Sequence, residues 1–86
     1  MTQAAKSTAA FKAEYDEDRD LYQKPFFHNE TREDHQLLYP AWDRLTGEKM
    51  AVYVLSSMTW MKETMPFAQF KLNFTQGRAA DLEEAA

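Results

Sequence analysis

The sequence predicts an all-α chain, an extended array of three to four helices with proline-hinged connectors rather than a compact independent bundle. Three observations carry that expectation. Apolar residues recur at offsets of three and four through Glu48–Met65, where Ala51, Val54, Leu55, Met58, Met61 and Met65 share one helical face. Prolines at positions 25, 40 and 66 fall where helices would end or begin. The one short period-two stretch, Phe70, Leu72 and Phe74, has no evident second strand to pair with, and a lone strand leaves its backbone unsatisfied.

Residues 1–6 offer nothing to pack. From Ser7 the run STAAFKAEYDEDRDLYQK reads as a helix, with Ser7 as its cap, alanines that favour helix, and Phe11, Tyr15 and Tyr22 near helical spacing. Its apolar stripe is thin, so it would have to dock on another surface. Pro25 ends it, because the residue before a proline is pushed out of the helical region. Phe26, Phe27 and His28 follow as an extended aromatic plug, seated on this chain or in a partner. Thr31 and Asp34 form a short-armed variant of the capping box before a helix over 32–39.

Pro40 suits the first position of the next helix, whose face is Ala41, Trp42 and Leu45. Thr46 and Gly47 then interrupt it: Gly47 is either a weak point in one long helix or, the favoured reading, a break with Thr46 capping a new start and Glu48 complementing the helix dipole. The helix over 48–65 is the strongest expectation; Met50, Tyr53 and Trp60 broaden its apolar face, and its methionines make that face adaptable. Pro66 kinks or ends it. Phe67, Phe70 and Phe74 fit a helix continuing past the kink, with a strand as the competing reading. Gly77 closes the segment, and the remainder reads as an Ala- and Glu-rich tail. The chain thus divides into an acidic N-terminal arm with one or two short helices (1–39), an apolar helical segment with an aromatic-rich end (40–75) and a polar tail (76–86).

Composition excludes several function classes. The net charge of −4 comes mainly from residues 1–45, which hold nine acids against six bases, while residues 46–86 hold five against four. No basic stripe exists to neutralise phosphates, which argues against nucleic acid; an acidic arm prefers a basic protein surface. With no cysteine, the chain has no disulfide, thiolate metal site or cysteine nucleophile. The first twenty residues lack an apolar h-region, which predicts an intracellular chain. Met50–Met61 is the most membrane-like stretch, but a spanning helix needs roughly 20 predominantly apolar residues, and extension meets Lys62, Glu63 and Pro66.

Catalytic and metal motifs are weak throughout. Asp16, Asp18 and Asp20 alternate like the start of an EF-hand loop, yet Leu21 stands where its glycine belongs and Phe27 where its bidentate glutamate belongs. His28 and His35 with Glu30, Glu33 and Asp34 offer metal ligands on paper but no zinc-site spacing. Ser56 and Ser57 lack a nucleophile elbow, and Gly47 and Gly77 are too far apart for a phosphate loop. The expectation is no enzyme, no cofactor and no metal.

The layout of polar arm, proline-hinged connector, one broadly apolar helix and polar tail looks like that of small accessory subunits of large membrane complexes, including mitochondrial respiratory and ATP synthase assemblies. That likeness implies a non-catalytic structural subunit whose partners are other subunits, with membrane contact through Met50–Phe70 and a place in a mitochondrial inner-membrane complex. It is a likeness of architecture and brings no site residue with it. The partner-binding residues expected from aromatic dominance of interfaces are Phe26, Phe27, Trp42, Tyr53, Trp60 and Phe70. The alternative is a soluble helical adaptor or regulator that self-associates through its methionine-rich face.

Overall fold

The computed structural model describes residues 6–81. Its centre is one five-stranded antiparallel sheet, which overturns the all-α expectation. In chain order the elements are α1 (Thr8–Glu17), a single 3-10 turn (Arg19–Leu21), β1 (Lys24–His28), β2 (Asp34–Trp42), β3 (Lys49–Leu55), β4 (Met58–Pro66), α2 (Phe67–Asn73) and β5 (Phe74–Gln76). The spatial order is β4-β3-β2-β1-β5: four strands meander, then α2 carries the chain back across the sheet to lay β5 beside β1.

The largest correction falls on 48–65. This segment is a β-hairpin, β3 and β4, turned at Ser56-Ser57, and not a helix. β3 is flanked by β2 and β4, and its residues Ala51, Val52, Tyr53 and Val54 are all buried. A strand covered on both faces shows a continuous apolar run instead of alternation, and such a run satisfies helical offsets by density alone. The stiff Val52 and Val54 side chains on either side of Tyr53 favour the pleated conformation.

Other elements shift for related reasons. The predicted helix over 32–39 lies in the turn after β1 and in β2, and the Phe26-Phe27 plug is β1, paired with β2 and β5. Pro40 is a strand residue opposite Ala51. It is tolerated there because β1 covers only Asp34–Leu37, so this half of β2 is bonded on one side alone. Instead of capping a helix, Thr46 and Gly47 lie in the β2–β3 connection: Asp43 Oδ1 accepts from the Leu45 and Thr46 amides, and Gly47 takes φ +74°. Pro66 does precede a helix, but α2 lasts seven residues and yields to β5 at Phe74, so both readings of 67–74 hold in part.

At the N-terminus, α1 follows Ser7 as expected, with the Ser7 hydroxyl accepting from the Ala10 amide. The helix stops at Glu17, well before Pro25. In the tail, residues 79–81 are helical; the rest of it lies outside the described residues, as do positions 1–5. The sheet draws strands from both sides of residue 40, with β2 running through that boundary. Among the described residues no helix is long and apolar enough to cross a membrane, and Met50–Phe70 is distributed over β3, β4 and α2.

The core forms where α2 packs on one sheet face. Phe67 and Phe70 meet Phe26, Leu37, Ala51 and Tyr53, with Phe74 closing the side. Phe70 stacks on Phe74 at 4.3 Å between ring centres and meets Phe26 edge-on at 5.1 Å. These are offset and edge geometries that aromatic quadrupoles favour. The opposite face buries Phe27, Val52 and Val54, with the Arg32 guanidinium 5.5 Å from the Phe27 ring.

Candidate docking edge

Among the described residues β4 is the outermost strand on one side of the sheet, nine residues long, with β3 as its single strand neighbour. One row of its backbone donors and acceptors therefore faces outward without a sheet partner, the arrangement that templates pairing with another chain. The strand pairs normally from Lys62 to Pro66, opposite Val54 back to Met50. Next to the turn, however, Leu55 lies opposite Met58 while Val54 lies opposite Lys62, so Thr59, Trp60 and Met61 have no counterpart in β3. An insertion of this kind bends the strand and increases its local twist.

Two of those inserted residues are apolar and exposed: Trp60 is 75% accessible and Met61 53%. The adjoining half of the strand carries Lys62, Glu63 and Pro66, residue types that discourage indiscriminate edge pairing. Lys62 Nζ donates to the Tyr39 hydroxyl at 3.0 Å and lies 5.5 Å from that ring, joining the edge to β2 across Val54 and Val52. Glu63 stands opposite Tyr53, whose phenol is pushed up by burial and by that carboxylate.

The six expected partner aromatics separate by burial. Phe26, Phe27, Tyr53 and Phe70 are packed inside this chain, each at 6% exposure or less. Trp42 is half-buried under α1, with Phe11 edge-on at 5.5 Å and its indole N–H donating to Glu14 Oε1 at 2.9 Å. Trp60 alone among the six presents its ring to solvent. Met61 is legible in the sequence only as part of a methionine-rich helical face; the strand edge is not, because an edge exists only once strand order is known.

A second constellation, also unread, ties α1 to the sheet. Asp18, 6% exposed, lies between Lys49 of β3 at 2.6 Å and Lys71 of α2 at 2.7 Å. Lys49 also donates to the Glu14 carbonyl and lies 4.4 Å from the Phe67 ring centre. Burial alone would push the Asp18 carboxyl up; the hydrogen bonds and charges of Lys49 and Lys71 together outweigh it and hold the group below its ordinary range. Glu14 is likewise held down, first by its bond from Lys6 and then by that from Trp42. A cleft of about 280 Å³ opens beside Asp18, rimmed by Glu14, Glu17 and Glu48. Both Asp18 oxygens are engaged by ammonium groups, so the cluster acts as a clasp on α1, a helix with no buried residue of its own.

The histidines are occupied separately. His28 Nδ1 accepts from the Glu30 and Thr31 amides in the β1–β2 turn. His35 is buried against Tyr53 and Phe74 and bonds the Glu33 carbonyl through Nδ1. Among the described residues no three His, Asp or Glu side chains are grouped to hold a metal.

Compared with family models, curated proteins and solved structures, the chain matches none. Fold and site together define a class, a small domain whose described residues form one antiparallel sheet with α1 and α2 on one face and β4 as its long edge strand.

Proposed function

We propose that the chain is a non-catalytic accessory subunit of a larger protein assembly, and that it docks through β4 by accepting an extended strand of a partner protein. The observation that carries this reading is the insertion Thr59–Met61, which sets an exposed tryptophan and methionine on a strand edge that has no partner among the described residues. Strand addition supplies main-chain hydrogen bonds for affinity and side-chain contacts for specificity. Tryptophan is among the residues most enriched at energetic centres of interfaces. The Lys62–Pro66 half guards the remaining edge, so docking is directed to the end near the turn.

The reading is tested by co-purification of the tagged full chain from its source cells. A Trp60→Ala/Met61→Ala double variant loses the partners that wild type retains, whereas Leu72→Ala, on the exposed side of α2, keeps them. An unchanged partner set in the β4 variant overturns the proposal. Because Trp60, Met61 and Leu72 are all exposed, the variants fold, which circular dichroism verifies.

A further inference from the structure

We infer that α1 is a lid, hinged at Asp18 and latched at Glu14, which opens as a unit while the sheet and α2 stay folded. The inference is independent of the β4 edge and concerns a different part of the molecule.

The packing of α1 sets it apart from every other element. None of the residues Thr8–Glu17 is buried, and none belongs to the core cluster around Phe67, Phe70 and Phe74. The core is complete without the helix. A segment with few buried apolar contacts lies at the low end of the range of local opening free energies. Nor can α1 persist once it leaves its seat, because a helix of ten residues is marginal in water. Leaving the seat and losing helical structure are therefore one event.

The boundary of this unit is sharp. Asp18 already departs from helical backbone, at φ −116° and ψ 15°. Its carboxylate is held by Lys49 and Lys71, and Leu21 and Tyr22 just beyond it pack against the core. From Asp18 onward the chain is fixed to the sheet. Upstream of it, α1 is held mainly by polar side chains that converge on Glu14. The Glu14 carboxylate accepts from the Trp42 indole at 2.9 Å and from Lys6 Nζ at 3.0 Å, and Lys6 also donates to the Gly47 carbonyl of the β2–β3 connection. Phe11 adds one edge contact to the Trp42 ring, and the Tyr15 carbonyl accepts from the Tyr22 hydroxyl at 2.7 Å. Opening withdraws Glu14 and Glu17 from the cleft beside Asp18 and uncovers the Trp42 indole, leaving Lys49, Phe67 and Lys71 as the standing wall.

Native-state hydrogen exchange of the full chain, read by mass spectrometry, separates opening of the lid from unfolding of the whole. The helical amides of residues 12–17 are expected to exchange at least about a hundredfold faster than those of Ala51–Val54 in β3. Glu14→Ala removes the latch and keeps a strong helix former in place. It should speed exchange in α1 about tenfold, the worth of a hydrogen bond to a charged group, and leave β3 unchanged. Lys12→Ala is the control: its ion pair with Asp16 lies wholly within α1, so its effect should stay within about threefold. Equal protection of α1 and β3, or a Glu14→Ala effect of the same size in both, means that the helix opens only with the whole fold and overturns the inference. A Glu14→Ala effect no larger than that of Lys12→Ala overturns the assignment of Glu14 as the latch.

Discussion

Asp18 reaches Lys49 at 2.6 Å and Lys71 at 2.7 Å while almost wholly shielded from water, and this three-residue contact joins α1, β3 and α2. Asp18→Asn removes the charge at nearly constant shape and leaves Lys49 at 10% side-chain exposure without its nearest anion. Lys49 keeps the Glu14 carbonyl and a distant Glu17 carboxylate, so the expected cost is about 2 kcal/mol in a denaturant titration, below that of a wholly orphaned buried charge. The same group sets an acid dependence. Its folded carboxyl titrates below the ordinary 3.8, so its contribution is fully present above that value and is lost as pH falls through the lowered one. Wild type therefore loses stability in that acid window more steeply than Asp18→Asn, which thermal melts across the range would show. Phe70 contributes through packing instead: fully buried between Phe26, Tyr53 and Phe74, its replacement by alanine should cost about 4 kcal/mol. For a domain of this size that approaches the whole stability, so the variant is expected to be largely unfolded by near-ultraviolet dichroism. At this scale the sequence was partly legible. Ser7 announced itself because a cap acts within three residues, whereas Asp18 meets Lys49 across 31 positions and nothing local marks the pair.

The elements were harder to read, and the misreading has a specific cause. Helical spacing in 48–65 came from apolar density, and a strand buried on both faces has the same density. The better arbiters were local: Val52-Tyr53-Val54 is rich in strand formers, and Ser56-Ser57 supplies a turn two residues long between β3 and β4. Pro40 misled in the opposite direction, because a proline argues against a strand unless one edge of it is free, as the upper half of β2 is. α2 and β5 divide a segment whose phenylalanines serve both: Phe67 and Phe70 face the core from the helix and Phe74 from the strand. Gly47 is legible as a break from the sequence, although it turns a strand connection and not a helix. Its φ of +74° is left-handed, so Gly47→Ala should destabilise the β2–β3 connection by about 1–2 kcal/mol through backbone strain. The added Cβ meets only the Lys6 side chain at 3.6 Å, which makes strain the operative cause. Chemical denaturation of the variant against wild type measures it.

At the scale of the whole molecule, the meander leaves β4 with one open side, while β5 closes over the far side of β1. The candidate site is a consequence of that order. Trp60 could be selected from composition as a partner-facing aromatic, but Phe26, Phe27, Tyr53 and Phe70 had equal claim until the core was assembled from them. What separates Trp60 from the rest is the three-residue insertion before Lys62, visible only in the β3–β4 register. The account predicts an asymmetric molecule, with binding concentrated at the turn-proximal end of β4 and not on the exposed side of α2. The most direct test places a photoreactive side chain at position 60, and separately at position 72, of the full chain in its source cells. A discrete cross-linked product from position 60 to another protein, and none from position 72, is the expected result; no specific product from position 60 would contradict the assignment of β4 as the docking edge.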